Sequence, residues 1–566
     1  MNSLLYNKID LECIFTLIVC LALFYGVLSF EHYSPSSADF YINTKVFFFC
    51  SLALMVFFIK KNIKIYSIGF FWIFIFIVLF IQPIVNHIIY IDSLIFPIAC
   101  ILVSFFLCIA VKNIENKSLF ITRFSFIIFI ISFLLLITQF SHILNIKYIV
   151  ELMKLPLQIQ RFSGNLYQPN QTAFVFVLGT ISLLYYCNEK EKNALLKYAL
   201  IFFLGVGVAF TSSRSGFLML LLGVLVFNLF LNIYDKKKIY FLNDFLVSFS
   251  GLLFGIFIYK FFSKTEGTLG RVVDSVHDPR WSLMYQSWLV FSDHPLTGVG
   301  WKNFAGTGLV YFEKIEWFGL IDHSHFIFTH LLSEFGLLGL IIILTFIYFL
   351  IKNIRLISSK QDAYLFSILF VFIIYSCFEF PLWYFRYLFI FSIFLSLFDK
   401  SDKIYYEIKK GYLLSAFSFF LVIFSTYYIV QYKKIAYIND VVFSQQKSIK
   451  EKKDKLLELN SVFGFSYFND LLLYQTVELD EFLLKDKIEV GNRLVNYIPL
   501  NEYLIKQGTL LALDDQEKKA IYYFRASCYY NLGKECDSTK AYLKIFSLSN
   551  PRVFKDIYIE ILKTNN

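Results

Sequence analysis

Thirteen apolar runs divide this chain of 566 residues, near 11–30, 44–59, 66–81, 93–111, 118–140, 171–187, 197–212, 215–233, 243–262, 326–351, 362–378, 384–398 and 411–430. About twenty apolar residues in helical conformation cross a bilayer core, and a water-soluble domain does not repeat such runs. The pattern predicts an all-α polytopic membrane protein with about 13 transmembrane helices. A content of 58% hydrophobic residues agrees. The first run, Cys13 to Phe30, precedes no small-residue cleavage site and reads as an uncleaved anchor.

The loops between the runs form two sets. Every second loop is basic: Lys60, Lys61 and Lys64; Lys112, Lys117 and Arg123; Lys190, Lys192 and Lys197; Lys236, Lys237 and Lys238; Lys352, Arg355 and Lys360; Lys400, Lys403, Lys409 and Lys410. The short loops 31–43 and 82–92 hold neither Lys nor Arg. Basic loops stay in the cytoplasm, so this set and the N-terminus are expected inside, and an odd number of crossings puts 431–566 outside. The net charge of +10 therefore reports membrane orientation rather than nucleic-acid binding. RNP-like patterns, zinc-finger spacings, P-loops and GxGxxG are absent from the sequence. The short inner loops offer no nucleotide site. An enzyme of this topology works on the outer face, away from ATP and nucleotide sugars.

Four regions are expected: N-terminal transmembrane helices over 1–160, a membrane region over 161–400 with a large outer loop at 263–325, a last crossing at 401–430, and a helical outer domain at 431–566. In the loop, Asp278-Pro279 reads as an N-cap followed by proline at the first helical position. Trp281, Met284, Tyr285, Trp288 and Leu289 then form an apolar stripe at helical spacing. His294-Pro295 ends it, and Leu296 to Trp301 is a turn cluster. This predicts a helix on the membrane surface whose first turn aims Arg280 inward. In the tail, Ala520 to Gly533 with Ala541, Tyr542 and Pro551 looks like a tetratricopeptide-type hairpin. Seven of nine cysteines lie in apolar runs as small buried hydrophobes. Cys528 and Cys536 lie in the tail, where an oxidising compartment permits a bridge that their spacing alone does not establish.

Five polar groups fall on the expected outer face: Arg161 to Gln171, with Gln168 and Asn170 between them; Thr211 to Gly216 around Arg214; Arg280; His323 with His325; and Glu379 to Tyr384. Any one of them is explained as a membrane-interface anchor. Five on one face are better explained by a site. Asp322-His323-Ser324-His325 opens a long apolar helix that carries His330 and Glu334 deeper. Asp322 and Ser324 both suit an N-cap, yet such polar groups at membrane depth need a cavity or a partner. No outer-face carboxylate cluster has metal-ligand spacing, so no metal is expected.

These residues also carry a resemblance. Gln168-Pro169-Asn170-Gln171, Ser213-Arg214-Ser215-Gly216, Arg280 with His294 to Gly300, and His325 with Leu332, Glu334, Gly336 and Gly339 look like the O-antigen ligase and polymerase superfamily. Within it, Gln168 to Gln171, Glu379-Phe380-Pro381-Leu382-Trp383-Tyr384 and the C-terminal tail resemble bacterial protein O-oligosaccharyltransferases of the PglL type. Members commonly carry asparagine after the second histidine, where this chain has Phe326. The resemblance implies a GT-C-like membrane fold. It also implies a metal-independent glycosyltransferase, without cofactor, that moves a preassembled oligosaccharide from undecaprenyl diphosphate to a hydroxyl. The acceptor would be a periplasmic protein, pilin among the possibilities.

Diphosphate leaves readily if cations neutralise it, a role that suits Arg214 and Arg280. The attacking hydroxyl needs a base, for which neutral imidazole serves at neutral pH. The family spacing selects His325, and at a helix N-terminus the dipole would keep it neutral. Arg161, Gln168, Asn170, Gln171, His323, Glu379 and Tyr384 are then substrate contacts. The tail is expected to dock the acceptor or stabilise the fold.

Within the same chemistry, an O-antigen ligase acting on lipid A-core, or an O-antigen or capsule polymerase, differs only in acceptor. A transporter is disfavoured because no inverted repeat appears, and an envelope scaffold does not explain the Arg and His placements. The orientation is tested directly: a periplasm-active reporter fused after Asn566 should be active, whereas activity of a cytoplasm-only reporter there would overturn the topology.

Overall fold

The computed structural model describes residues 10–35, 39–60, 62–153, 161–190, 193–235, 239–263, 278–319 and 322–564. Lys61, Lys192, Lys236, Lys237, Lys238 and residues 264–277 of the large loop lie outside the described residues. Among the described residues, each of the thirteen apolar runs carries a helix. Ten of these helices, from Leu11–Leu28 to Tyr412–Phe443, are long and apolar enough to cross a membrane. Ala194–Phe210, Lys360–Ser376 and Phe385–Phe398 are shorter, at 17, 17 and 14 residues. The chain is an all-α polytopic membrane protein. Its one described two-stranded ribbon pairs Ile63–Tyr66 antiparallel with Ile404–Ile408.

The chain divides into two compact units. The first comprises Met1–Ile75, Ala99–Ser275 and Phe346–Val430. At one end of it, helices start from short polar side chains that accept the backbone N–H groups of the first turn. Asp10, Asn116, Asn193 and Ser359 all do so. The basic loops gather at this end. Lys112 Nζ lies 3.3 Å from Asp399 Oδ2, Lys197 Nζ 2.7 Å from Asp244 Oδ1, and Lys60 and Lys400 pair with Glu12 and Asp362. The helix Leu11–Leu28 begins there and ends among the loops that lack this lysine pattern. At that far end Asn165 Nδ2 donates to Val27 O at 2.7 Å. Loops separated in sequence by their basic content are thus separated in space.

The second unit comprises Phe76–Ile98, Val276–Thr345 and Gln431–Asn566. As the sequence predicts, Asp278 caps the helix Pro279–Asp293 and His294 ends it. Its inner face is Ser282, Leu283, Gln286, Ser287 and Val290. Trp281 and Trp288 turn outward, 62% and 52% exposed. Val290, Phe304, Phe312 and Phe318 of the loop share one core with Leu494, Leu510, Phe524, Leu543 and Phe554 of the tail. The tail is a run of helices. Asn501–Leu513 packs on Glu517–Tyr529, and Cys536–Ser549 packs on Pro551–Leu562. A Cys528–Cys536 disulfide joins the second pair to the first.

The long helix expected after the histidines is broken. Ile327–Ile354 turns sharply at Gly336, whose backbone is φ +57°, ψ −131°. The chain folds back so far that a Cβ on Gly339 would lie 2.1 Å from Leu331 O. Residues 296–300 fill the break. Val299 N–H donates to Ser333 O and Gly300 N–H to Glu334 O, both at 2.9 Å, and Leu337 N–H donates to Leu296 O at 3.0 Å. Opening a helix in lipid strands polar groups unless other backbone satisfies them, and this crossing does so. Only glycine permits it: a Cβ on Gly298 would lie 2.3 Å from Glu334 C, and one on Gly336 2.6 Å from Gly298 N. Gly298→Ala or Gly336→Ala should each cost more than about 2 kcal/mol, from left-handed strain plus the collision. Thermal unfolding of the detergent-solubilised variants checks this; midpoints equal to the parent would refute the packing.

Candidate active site

In the first unit, the far-end loops are tied together by side-chain amides. Arg161 Nε donates to Thr211 O and Nη2 to Asn170 Oδ1, each at 2.9 Å. Asn170 Nδ2 donates to Glu379 Oε1 at 2.6 Å. Gln168 Oε1 receives the Asn170 and Gln171 N–H groups, turning its side chain over the start of the helix Pro169–Lys190. Four of the residues singled out from sequence, Arg161, Gln168, Asn170 and Glu379, therefore form one connected cluster beside the Thr211–Gly216 turn. Arg214 opens the helix Arg214–Asp235 from that turn. Gly216 lets this helix approach its neighbour, since a Cβ there would lie 2.5 Å from Ala173 Cβ.

Gln171 and Tyr384 are organised around a residue the sequence reading missed. Arg386 is wholly buried. Its Nη2 donates to Asp39 Oδ2 at 2.8 Å and to Gln171 Oε1 at 2.5 Å. The Tyr387 hydroxyl donates to Gln171 Oε1 at 3.0 Å. The guanidinium carbon stands 5.4 Å and 5.3 Å from the ring centroids of Tyr384 and Tyr387. Asp39 also meets His32 Nδ1 at 2.8 Å. Burial pushes the Asp39 carboxyl up, but the Arg386 charge and the His32 hydrogen bond outweigh it and hold the carboxyl below its ordinary value. The signal was available, because an arginine at the start of the apolar run Phe385–Phe398 marks a buried partner.

In the second unit, Asp322 and Ser324 do not serve as the expected helix caps. Asp322 Oδ2 accepts from Lys302 Nζ at 2.5 Å, and Asp322 Oδ1 meets His323 Nδ1 at 2.9 Å. The Ser324 hydroxyl donates to Phe326 O at 2.9 Å. The helix starts at Ile327, so His325 stands before it in left-handed backbone, φ +56°, and not in the first turn. The rings of His323 and His325 are 4.1 Å apart and tilted by 55°. Burial pushes the His323 imidazole well down, helped by its histidine neighbour, so it is neutral at physiological pH. Burial alone would raise the Asp322 carboxyl, but the Lys302 ammonium and the His323 bond hold it well below the usual range. Glu334 Oε1 accepts the Lys302 N–H at 2.9 Å and sits 3.6 Å from His330 Nε2. Arg280 Nη1 reaches the N-cap Asp278 of its own helix, at 3.3 Å. Lys302 gave no warning in sequence, lying just after a turn cluster and twenty residues before its partner.

Comparison with known proteins bears on this geometry. Residues 199–344, which carry Arg214, Arg280, His323, His325 and the broken helix, match the family described as O-Antigen ligase. Residues 363–535, with Glu379, Tyr384, Arg386 and much of the tail, match the family described as Virulence factor membrane-bound polymerase, C-terminal. The ComP-specific O-oligosaccharyltransferase of Acinetobacter baylyi is 28% identical over 335 residues, 56% of this chain and 58% of that relative. The chain thus matches less than two thirds of the relative's length. The resemblance to the O-antigen ligase superfamily, and within it to protein O-oligosaccharyltransferases of the PglL type, holds.

The Arg386 cluster makes a direct prediction. Arg386→Ala leaves the Asp39 carboxylate enclosed beside His32 alone, which should cost about 3–5 kcal/mol. Thermal unfolding of the purified variant measures it. Adding Asp39→Asn should recover part of the loss, and an unchanged midpoint in Arg386→Ala would contradict the ion pair.

Proposed function

We propose that this protein is an oligosaccharyltransferase that moves a preassembled glycan en bloc from undecaprenyl diphosphate to a Ser or Thr hydroxyl of a periplasmic protein, pilin-like proteins included. The observation that carries the reading is the histidine pair. His323 and His325 lie ring to ring, beside an ionised carboxylate, inside the stretch that matches the O-antigen ligase family. The similarity to the ComP-specific O-oligosaccharyltransferase of Acinetobacter baylyi supports a protein acceptor over lipid A-core. The family matches also keep O-antigen ligation or polymerisation as the second reading.

In the reaction, a lone pair of the acceptor oxygen forms a bond to the anomeric carbon. The bond from that carbon to the diphosphate oxygen breaks, and the electron pair leaves with the diphosphate. His325 takes the hydroxyl proton as general base. Arg214 and Arg280 neutralise the leaving diphosphate through planar, two-pronged contacts. Arg161, Gln168, Asn170, Gln171, Glu379, Tyr384 and His323 serve as substrate contacts in this reading, and the outer face of the inner membrane is its setting. The tail's role is acceptor docking together with support of the large loop. Because tail and loop share a core, surface substitutions test docking better than truncation.

The deciding experiment deletes the gene. Pilin or other periplasmic proteins should lose glycan while lipopolysaccharide is unchanged; the reverse pattern would establish the ligase reading. In purified form, His325→Ala should bind donor yet transfer about a hundred- to ten-thousand-fold less, and His323→Ala should be impaired less. Arg214→Lys and Arg280→Lys should each lose most activity, because a point charge does not replace a fork. Transfer should survive added chelator. Robust His325→Ala activity, or abolition of the parent's activity by chelator, would overturn the mechanism.

A further inference from the structure

His325 occupies a backbone conformation that a residue with a Cβ avoids without support. Its φ of +56° lies in the left-handed region, and Lys302 shares that strain at +62°. The two strained residues are connected by a continuous chain of contacts within the second unit. Glu334 Oε1 holds the Lys302 N–H at 2.9 Å. Lys302 Nζ reaches Asp322 Oδ2 at 2.5 Å, and Asp322 Oδ1 meets His323 Nδ1 at 2.9 Å. The His323 ring lies against the His325 ring at 4.1 Å. The inner end of the chain is anchored at the helix break, where residues 296–300 cross Ser333 to Leu337.

We propose that Lys302 and Asp322 are positioning residues that act through His323 to fix the ring of His325. This rests on His325 being the base of the proposed transfer. The lysine keeps the Asp322 carboxylate ionised. An ionised carboxylate facing Nδ1 selects the His323 tautomer that carries its proton there and fixes the ring plane. A fixed, neutral ring then provides one wall for His325 without competing for the acceptor's proton. When the acceptor oxygen bonds to the anomeric carbon, its proton goes to His325, and the departing diphosphate takes the electron pair. Lys302, Asp322 and His323 exchange no proton in this step. Their contribution is geometric: they keep the base in reach of the hydroxyl, where a displacement of about an ångström costs about a hundredfold.

A double-variant cycle tests the chain in the full-length purified protein. The probes are a synthetic undecaprenyl-diphosphate trisaccharide and a serine-bearing pilin fragment. Asp322→Asn should lower kcat about ten- to a hundredfold with KM for either probe nearly unchanged, since binding groups are untouched. His323→Ala should lose kcat by a similar factor and, because His323 is also read as a substrate contact, raise the KM for the acceptor. The Asp322→Asn/His323→Ala protein should be no worse than its poorer parent, because Asp322 has nothing left to orient. Lys302→Arg should keep most activity, and Lys302→Met should behave as Asp322→Asn. Losses that multiply in the double variant, a change confined to KM, or a Lys302→Arg protein as poor as Lys302→Met would overturn the positioning chain. Thermal midpoints within a few degrees of the parent are part of the expected result; a kcat loss that tracks unfolding counts against it. A parent protein that transfers no glycan to the pilin fragment would instead count against the proposed reaction itself.

Discussion

Lipid offers a backbone no hydrogen bonds, so a membrane helix has to satisfy itself along its whole length. The segment after the histidines violates that rule at Gly336 and repairs the violation with the backbone of residues 296–300. Much of the second unit's site depends on this repair. It brings the turn containing Gly298, Gly300 and Lys302 against Glu334, and from there Lys302 reaches Asp322. One glycine on each side of the crossing, Gly298 and Gly336, is needed because the chains meet there closer than any side chain allows. Steric necessity explains the glycines in so apolar a stretch, and the buried Glu334 side chain finds a partner in the Lys302 N–H, whose bond it accepts.

The first unit solves a different problem with the same economy. Its far end collects loops whose own hydrogen bonds are incomplete. Carboxamides complete them: Asn165 reaches the carbonyl of Val27, Gln139 reaches those of Phe162 and Gly207, and Asn170 links Arg161 to Glu379. An amide both donates and accepts and carries no charge, so it bridges loops at small desolvation cost. Arg386 and Asp39 form an enclosed ion pair in this region. Candidate substrate contacts such as Gln168 and Asn170 are thus also parts of the scaffold, as expected where a site must be held rigid.

The shared core of loop and tail changes how the C-terminal region is understood. A sequence reader sees a membrane protein with a soluble appendage. In the structure, Phe304, Phe312 and Phe318 belong to the same apolar interior as the tail helices, and Asn531 N–H donates to Phe318 O at 2.7 Å. Loop and tail thus bury their apolar side chains in a single interior. The tail therefore holds the loop that carries the histidines.

The sequence by itself determined the architecture and the candidate residues. Apolar run length is a one-dimensional property, so each of the thirteen runs appears as a helix, and the Asp278-Pro279 start and His294 end of the loop helix were legible from local cap chemistry. Residue type also marked Arg161, Asn170, Glu379 and the histidine pair, because polar groups are conspicuous among apolar neighbours. Tertiary structure alone decided which partner each one takes. Lys302 finds Asp322, Arg386 finds Asp39 and Gln171, and Cys528 finds Cys536. It alone placed His325 before the helix and broke that helix at Gly336. Hydrophobic burial is a sum over a segment and can be read along the chain. A hydrogen bond or an ion pair is a meeting of two atoms, and the folded path of the backbone determines which atoms meet.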